Sequence, residues 1–295
     1  VTAAALTSGT TYSVRALVTD LATNTVTSTL STTSGQITVD TTAPTVGTLT
    51  LDTDNGSSNS DGIVGTLTPA FTLATASDTA YTGTNAPTSA VASVVVQVST
   101  DNGSTWTTKG TSSSSSSPYA ITLSGLTSQT TYQIQALVTD TAGNTSTTPL
   151  STTSALVTVD TTAPTAGTVT MTSTDGGASS SDGIVGTLTP SFALAVSGTS
   201  DGSYTGSGSN ATGISSVVLQ VSSDAGTTWV DNATFTAPSS GGTTYTVTAS
   251  PALTSGTTYS VRALVTDLAT NTVTSALSTT NGRITVDTTA PTVGT

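Results

Sequence analysis

The sequence predicts an all-β protein built of tandem seven-stranded sandwiches, on three observations. The first is composition: Thr (77) and Ser (45) make up about two-fifths of the 295 residues, all sixteen acidic residues are Asp, and the only cations are one Lys and three Arg. A chain without Glu and almost without Lys has little to place on the exposed face of a helix, whereas Thr and Val suit a pleated, half-buried surface. The second is a long internal repeat, and the third is period-two alternation within it.

The segment LTSGTTYSVRALVTDLATNTVTS at 6–28 recurs from Leu126 and Leu253, and the tag VDTTAPT recurs at Val39, Val159 and Val286. The tag spacings, 120 and 127 residues, are too long for a solenoid unit and suit one independent sandwich each. Residues 252–295 match residues 5–48 at 41 of 44 positions. The organisation expected is the C-terminal part of a domain at 1–40, a domain with its leading linker at 41–160, another at 161–287, and a linker opening a further domain at 288–295. The near-identity at the two ends makes both of them look like cuts in a longer repeat array.

In the first complete domain, turn signals separate seven short strands. They are A (46–51), B (66–74), C (90–99), a short strand at Trp106, E (119–123), F (130–139) and G (155–159), with an A–B loop over 52–62. Strand F carries the clearest alternation: Tyr132, Ile134, Ala136 and Val138 share one face, and Leu137 interrupts the polar side of the other. The second complete domain repeats the plan at 169–171, 187–194, 214–222, Trp229, 245–248, 257–266 and 283–286.

The stretch L-T-S-G-T-T-Y before an alternating strand resembles the tyrosine corner of fibronectin type III and immunoglobulin-like sandwiches, with Tyr12, Tyr132 and Tyr259 in the corner position. Together with D-x-x-x-N after strand F and the V-D-T-T-A-P-T tag, the whole chain is similar to the bacterial Ig-like repeats of large secreted surface adhesins and biofilm proteins. The resemblance implies Ig-like, fibronectin type III-like sandwiches in an extracellular, cell-surface stalk.

Composition also removes functions. No His, Cys or Glu is present, so the usual general bases, thiolate nucleophiles and soft-metal ligands are missing, and an enzyme would have to work with Asp alone. A net charge of −12 with four scattered cations disfavours nucleic acid and anionic membranes as partners. No apolar run approaches the length of about eighteen residues that spans a bilayer. The segments Ser99–Trp106 and Ser222–Trp229 fit the Asp-box pattern S-x-D-x-G-x-T-W. A glycosidase would need two positioned carboxylates of differing pKa, and these hairpins read instead as folding motifs.

The aspartates carry the sharpest expectation. In such a sandwich the A–B loop lies where the chain leaves, and the B–C and F–G loops lie where it enters. Asp52, Asp54 and Asp61 of the A–B loop are therefore expected to meet Asp160 of the linker and Asp267 and Asn271 of the next F–G loop. In the same register Asp40 would meet Asp140 and Asn144, and Asp175 with Asp182 would meet Asp287. Ca²⁺, which takes about six to eight hard oxygen ligands without His or Cys, is the cation such seams would hold. The competing reading is that these are solvated turn residues, because Asp, Asn and Gly dominate turns in any case. The start D-x-D-x-G at Asp52 also resembles an EF-hand loop, but without its third Asp and bidentate Glu.

The function expected is a non-catalytic, calcium-stiffened stalk of a surface adhesin or fibre, whose partners are the neighbouring repeats of its own chain. The alternative is a self-assembling subunit of an extracellular filament, sheath or surface layer. A lectin-like or receptor-binding module is disfavoured by scarce aromatics.

Overall fold

A computed structural model describes residues 4–32, 35–78, 91–151, 155–173, 179, 182–195, 201, 213–237, 244–279 and 282–293. All of their regular elements are β-strands. The chain forms two compact units: Val1–Asp54 with Leu67–Thr127 and Thr131–Thr158, and Asn55–Thr66 with Ser128–Thr130 and Val159–Thr295.

In the second unit, Val169–Met171 (A), Ser191–Ala195 (B) and Thr244–Thr248 (E) form one sheet in the order A-B-E. The other sheet runs through Val230–Thr234 (C′), Ile214–Ser222 (C), Thr257–Asp267 (F) and Arg283–Val286 (G), in the order C′-C-F-G. This is the fibronectin type III-like, Ig-like sandwich. Its core interleaves Phe192, Leu194, Tyr245 and Val247 from the first sheet with Val217, Leu219, Val261, Ala263, Val265 and Ile284 from the second. Each large apolar side chain so enclosed contributes about 1.5–3 kcal/mol of burial. Every second residue faces inward, so the alternation seen in sequence becomes the core.

The first unit contains the same plan, with Tyr119–Thr122, Ala70–Leu73 and Leu49–Leu51 in one sheet and Thr107–Thr111, Val91–Ser99, Thr130–Asp140 and Leu156–Val159 in the other. Along strand F, Tyr132, Ile134, Ala136 and Val138 are buried, as the alternation predicts. Leu137 is half-buried, set between Val95 and Thr147 on the neighbouring strands. All three tyrosine corners are formed. The hydroxyls of Tyr12, Tyr132 and Tyr259 accept the backbone N–H of Thr7, Thr127 and Thr254 at 2.9, 3.0 and 3.1 Å, which ties the chain entering strand F to the strand itself.

Three elements differ from the sequence reading. Strand A is broken at Gly47 into Thr45–Val46 and Leu49–Leu51. Strand G comes in two pieces: Thr145–Pro149 pairs with the second half of F before Leu156–Val159 continues, and Thr272–Ala276 does the same in the other unit. These polar Thr/Ser stretches carry too little apolar alternation to read as strands. Finally, the A–B loop holds a short strand, Ile184–Val185, that pairs in parallel with Arg283–Val286 and covers the G edge.

Both Asp boxes are structural. Consecutive left-handed residues, Asn102 with Gly103 and Ala225 with Gly226, make the tight turn. Asp101 Oδ1 and Oδ2 accept Thr105 N–H and Oγ1–H at 2.8 and 2.6 Å, and Asp224 does the same with Thr228. These bonds, with those from Ser99 and Ser222, hold both carboxyls down at about 2.

Candidate metal centre

The F–G turn begins where strand F ends, at an Asp whose side chain nucleates the turn. Asp267 Oδ1 accepts Asn271 N–H at 2.8 Å, and Asp140 Oδ1 accepts the N–H of Ala142 and Asn144 at 2.8 and 2.9 Å. This explains the D-x-x-x-N spacing: the Asp satisfies the turn's free amides, and the Asn four residues on closes it. The Asn side chain then reaches the linker. Asn271 Nδ2 donates to Asp267 Oδ2 at 3.0 Å and to the Asp160 carbonyl at 3.1 Å. Asn144 Nδ2 likewise donates to Asp140 Oδ2 at 2.9 Å and the Asp40 carbonyl at 3.2 Å.

The linker aspartate is fixed from its other side as well. Asp160 Oδ1 accepts Thr162 N–H at 2.9 Å, and Ser128 Oγ accepts Thr161 N–H at 2.8 Å. Asp40 is held in the same way by Thr42 and by Ser8. These contacts bring the linker carboxylate to the F–G carboxylate at the entry end of the sandwich.

A third carboxylate completes each group. Ligand oxygens of Asp160, Asp201 and Asp267 all lie within 4.8 Å of one another, and so do those of Asp40, Asp78 and Asp140. Asp160, Asp201 and Asp267 are 2%, 7% and 0% exposed. In the other group Asp140 is 1% and Asp78 9% exposed, Asp40 is partly buried, and Asp40 Oδ2 is enclosed without a hydrogen-bond partner. At an effective dielectric of about 20, each like-charged pair at this separation costs roughly 3–4 kcal/mol. Burial accordingly raises the Asp267 carboxyl above the ordinary aspartate value, and the neighbouring Asp201 charge raises it further, against the opposing bonds from Asn271. The described cations whose contacts are resolved are engaged elsewhere: Arg262 stacks 4.0 Å over the Trp229 ring and donates to Gln220, and Lys109 donates to the Gly125 carbonyl.

The donor set fits a hard divalent cation. Two oxygens on opposite sides of a Ca²⁺ at about 2.3–2.6 Å are about 5 Å apart at most, which matches the spread of each trio. An all-oxygen donor set without nitrogen or sulfur favours a hard cation over zinc.

The structure thus brings together Asp160 with Asp267 and Asp40 with Asp140, and uses Asn271 and Asn144 as struts that turn their amide nitrogens to the carboxylates. Asp52, Asp54 and Asp61 are not in either trio. Asp52 is exposed and accepts Thr72 Oγ1–H at 2.7 Å, Asp54 is partly buried, and Asp61 Oδ1 caps Ile63 N–H at 3.0 Å. Asp182 and Asp287 are exposed and cap Ile184 and Thr289 in the same fashion, and Asp175 lies outside the described residues. What the A–B loop brings to the F–G turn in the second unit is backbone and apolar surface. Ile63 packs with Leu268 and Ala269, Ser57 N–H donates to the Leu268 carbonyl at 2.8 Å, and Gly56 and Gly65 lie so close to the Leu268 and Ala269 carbonyls that an added Cβ would sit 2.6 Å from each.

Sequence reasoning missed Asp78 and Asp201. The signal was present: both stand in B–C loops, at the entry end, in the recurring pattern S-D-x-x-Y-T-G at 77–83 and 200–206.

No protein-family model matches the sequence, and no curated protein matches it. Among solved structures, the chain is similar to the FN1–FN3 domains of chicken CNTN1 at 12% identity, covering 88% of this chain and 75% of that one with a TM-score of 0.34. It is similar to a marsupial T cell receptor at 10% identity, covering 83% and 72%, with a TM-score of 0.43. A chimeric titin Z1Z2 is similar at 14% identity, covering 83% and 96%, with a TM-score of 0.26.

Proposed function

We propose that this chain is a non-catalytic extracellular repeat region, a stalk of a bacterial surface adhesin or fibre, in which Ca²⁺ closes the junction between each linker and the domain it enters. The observation that carries this reading is the buried trio Asp160, Asp201 and Asp267 together with its counterpart Asp40, Asp78 and Asp140 in the preceding repeat. Three enclosed carboxylates repel one another unless a proton or a cation intervenes, and at neutral pH a divalent cation is the better compensation. The chain's own residues do the positioning. Asn271 and Asn144 pin linker to turn, Thr162 and Ser128 orient Asp160, and the B–C loop delivers the last carboxylate.

In a stalk this arrangement makes the orientation of the linker a property of bound cation rather than of chain stiffness alone. Pro44 and Pro164, both buried, restrict the linker further. The test is calorimetric titration of Ca²⁺ into chelator-treated protein, with Asp201→Asn and Asp52→Asn as paired variants. Asp201→Asn removes one of the two sites and its share of the thermal stabilisation, while Asp52→Asn retains both. Equal loss from the two variants, or no heat from the parent chain, overturns the reading.

A further inference from the structure

The two units share one internal wall but differ in the residue set against it. In the second unit Phe235 N–H donates to the Val217 carbonyl at 2.8 Å, and its side chain, 5% exposed, joins Ile214, Val217 and Tyr245 in the core. In the first unit Ser112 N–H donates to the Val94 carbonyl at 2.9 Å, so Ser112 stands where Phe235 stands. The neighbours correspond as well. Val91 pairs with Asp140 as Ile214 does with Asp267, Val94 with Val138 as Val217 does with Val265, and Tyr119 with Leu73 as Tyr245 does with Leu194. Against this wall a benzyl group in one unit is replaced by a hydroxymethyl group in the other.

The exchange leaves a cleft of about 190 Å³ in the first unit, lined by Val91, Val94 and Tyr119. Ser112, Ser114 and Ser115 also line it, and Ser112 Oγ is engaged within its own loop, where it accepts Ser114 N–H at 3.2 Å. Tyr119 is 3% exposed, and its hydroxyl is enclosed with no hydrogen-bond partner among the described residues. A buried phenol hydroxyl ordinarily has one. Among the described residues that line the cleft none is charged, so it suits an uncharged occupant. Size narrows the choice further: an apolar cavity of about 150 Å³ accepts benzene, whereas drug-sized ligands need roughly 300–1,000 Å³.

We infer that this cleft is a binding site for a small uncharged aromatic compound bearing a hydroxyl group, of the phenol class. Its ring takes the place that the Phe235 ring fills in the second unit, against Val91 and Val94, and its hydroxyl pairs with that of Tyr119. The second unit has no such site, because its own phenylalanine is already there. The site uses none of the carboxylates that would hold Ca²⁺.

The test is an NMR titration of the isotope-labelled full chain with phenol and, in parallel, with toluene, which has the ring without the hydroxyl. Phenol is expected to move the amide resonances of Val94, Ser112 and Tyr119 saturably, while those of Val217 and Phe235 stay in place. One added hydrogen bond gives phenol a preference over toluene of roughly two- to tenfold. Ser112→Phe supplies the ring from the chain itself and is expected to weaken phenol binding at least about tenfold, with the fold retained by circular dichroism. Tyr119→Phe keeps the packing and removes only the enclosed hydroxyl, so the two probes should bind it equally; this variant decides the matter if Ser112→Phe does not fold. The inference is overturned by the absence of saturable shifts, by equal shifts in both units, or by equal binding of phenol and toluene to the parent chain. Phenol binding that survives Ser112→Phe, or a preference for phenol that survives Tyr119→Phe, overturns it as well.

Discussion

Asn271 bridges to Asp160 across the entrance of its sandwich: one amide nitrogen donates both to the Asp267 carboxylate and to the Asp160 backbone carbonyl, joining the F–G turn to the linker. Asn144 makes the same pair of bonds to Asp140 and Asp40. Replacing Asn271 by Ala removes both bonds and leaves a buried carboxylate and a carbonyl less satisfied. We expect a loss of roughly 1–3 kcal/mol from the domain's stability. Amide hydrogen exchange at Thr161 and Thr162 should accelerate with it, while exchange in strand C is unchanged.

Asp267 gives the apo protein a distinctive pH response. Its carboxyl is raised in the folded state, so folding takes up a proton over a window that opens near the ordinary value of 3.8. Its contribution is most favourable below that window and is lost as pH rises through the raised value. In chelator, Asp267→Asn should therefore flatten the fall of melting temperature between acid and neutral pH. Added Ca²⁺ should abolish that fall in the parent chain.

Asp101 and Asp224 respond with the opposite sign. Both are lowered from 3.8 to about 2 by hydrogen bonds from their hairpins, so their support is present above about 4 and is lost as pH falls toward 2. Asp101→Asn and Asp224→Asn should each weaken the hairpin at neutral pH and remove part of the acid-induced loss. The chemical shifts of the Trp106 and Trp229 indole N–H groups report this directly.

Gly65 and Gly186 occupy the same sequence position in successive A–B loops but differ in surroundings. Ala at 65 pushes a methyl onto the Ala269 carbonyl at 2.6 Å, and overpacking of that kind costs about 1–3 kcal/mol. Ala at 186 has room and should change the stability of the single molecule by less than about 0.5 kcal/mol. Thermal unfolding in dilute solution separates the two.

Much of this was legible in the sequence because period-two alternation and the tyrosine corner are local signals. Tyr132, Ile134, Ala136 and Val138 declare both a strand and its buried face. Thr145–Pro149 does not, since a strand of Thr, Ser and Pro gains its place from pairing with F rather than from its own apolar pattern. At the site, the pairing of linker with F–G turn followed from topology, whereas Asp78 and Asp201 stand in B–C loops where S-D-x-x-Y-T-G reads as an ordinary polar turn. Asp52 and Asp61 were drawn into the expected site by the position of the A–B loop at the end where the chain leaves the sandwich. Their carboxylates accept hydrogen bonds from Thr72 and Ile63, a turn-residue role that sequence does not distinguish from ligation.

The most direct measurement is a crystal structure of the chain grown with Ca²⁺ or with Tb³⁺ as its anomalous substitute. The account predicts an anomalous peak enclosed by Asp160, Asp201 and Asp267, with carboxylate oxygens about 2.3–2.6 Å away, and a second among Asp40, Asp78 and Asp140. Water at those positions, or carboxylates turned outward into solvent, contradicts it.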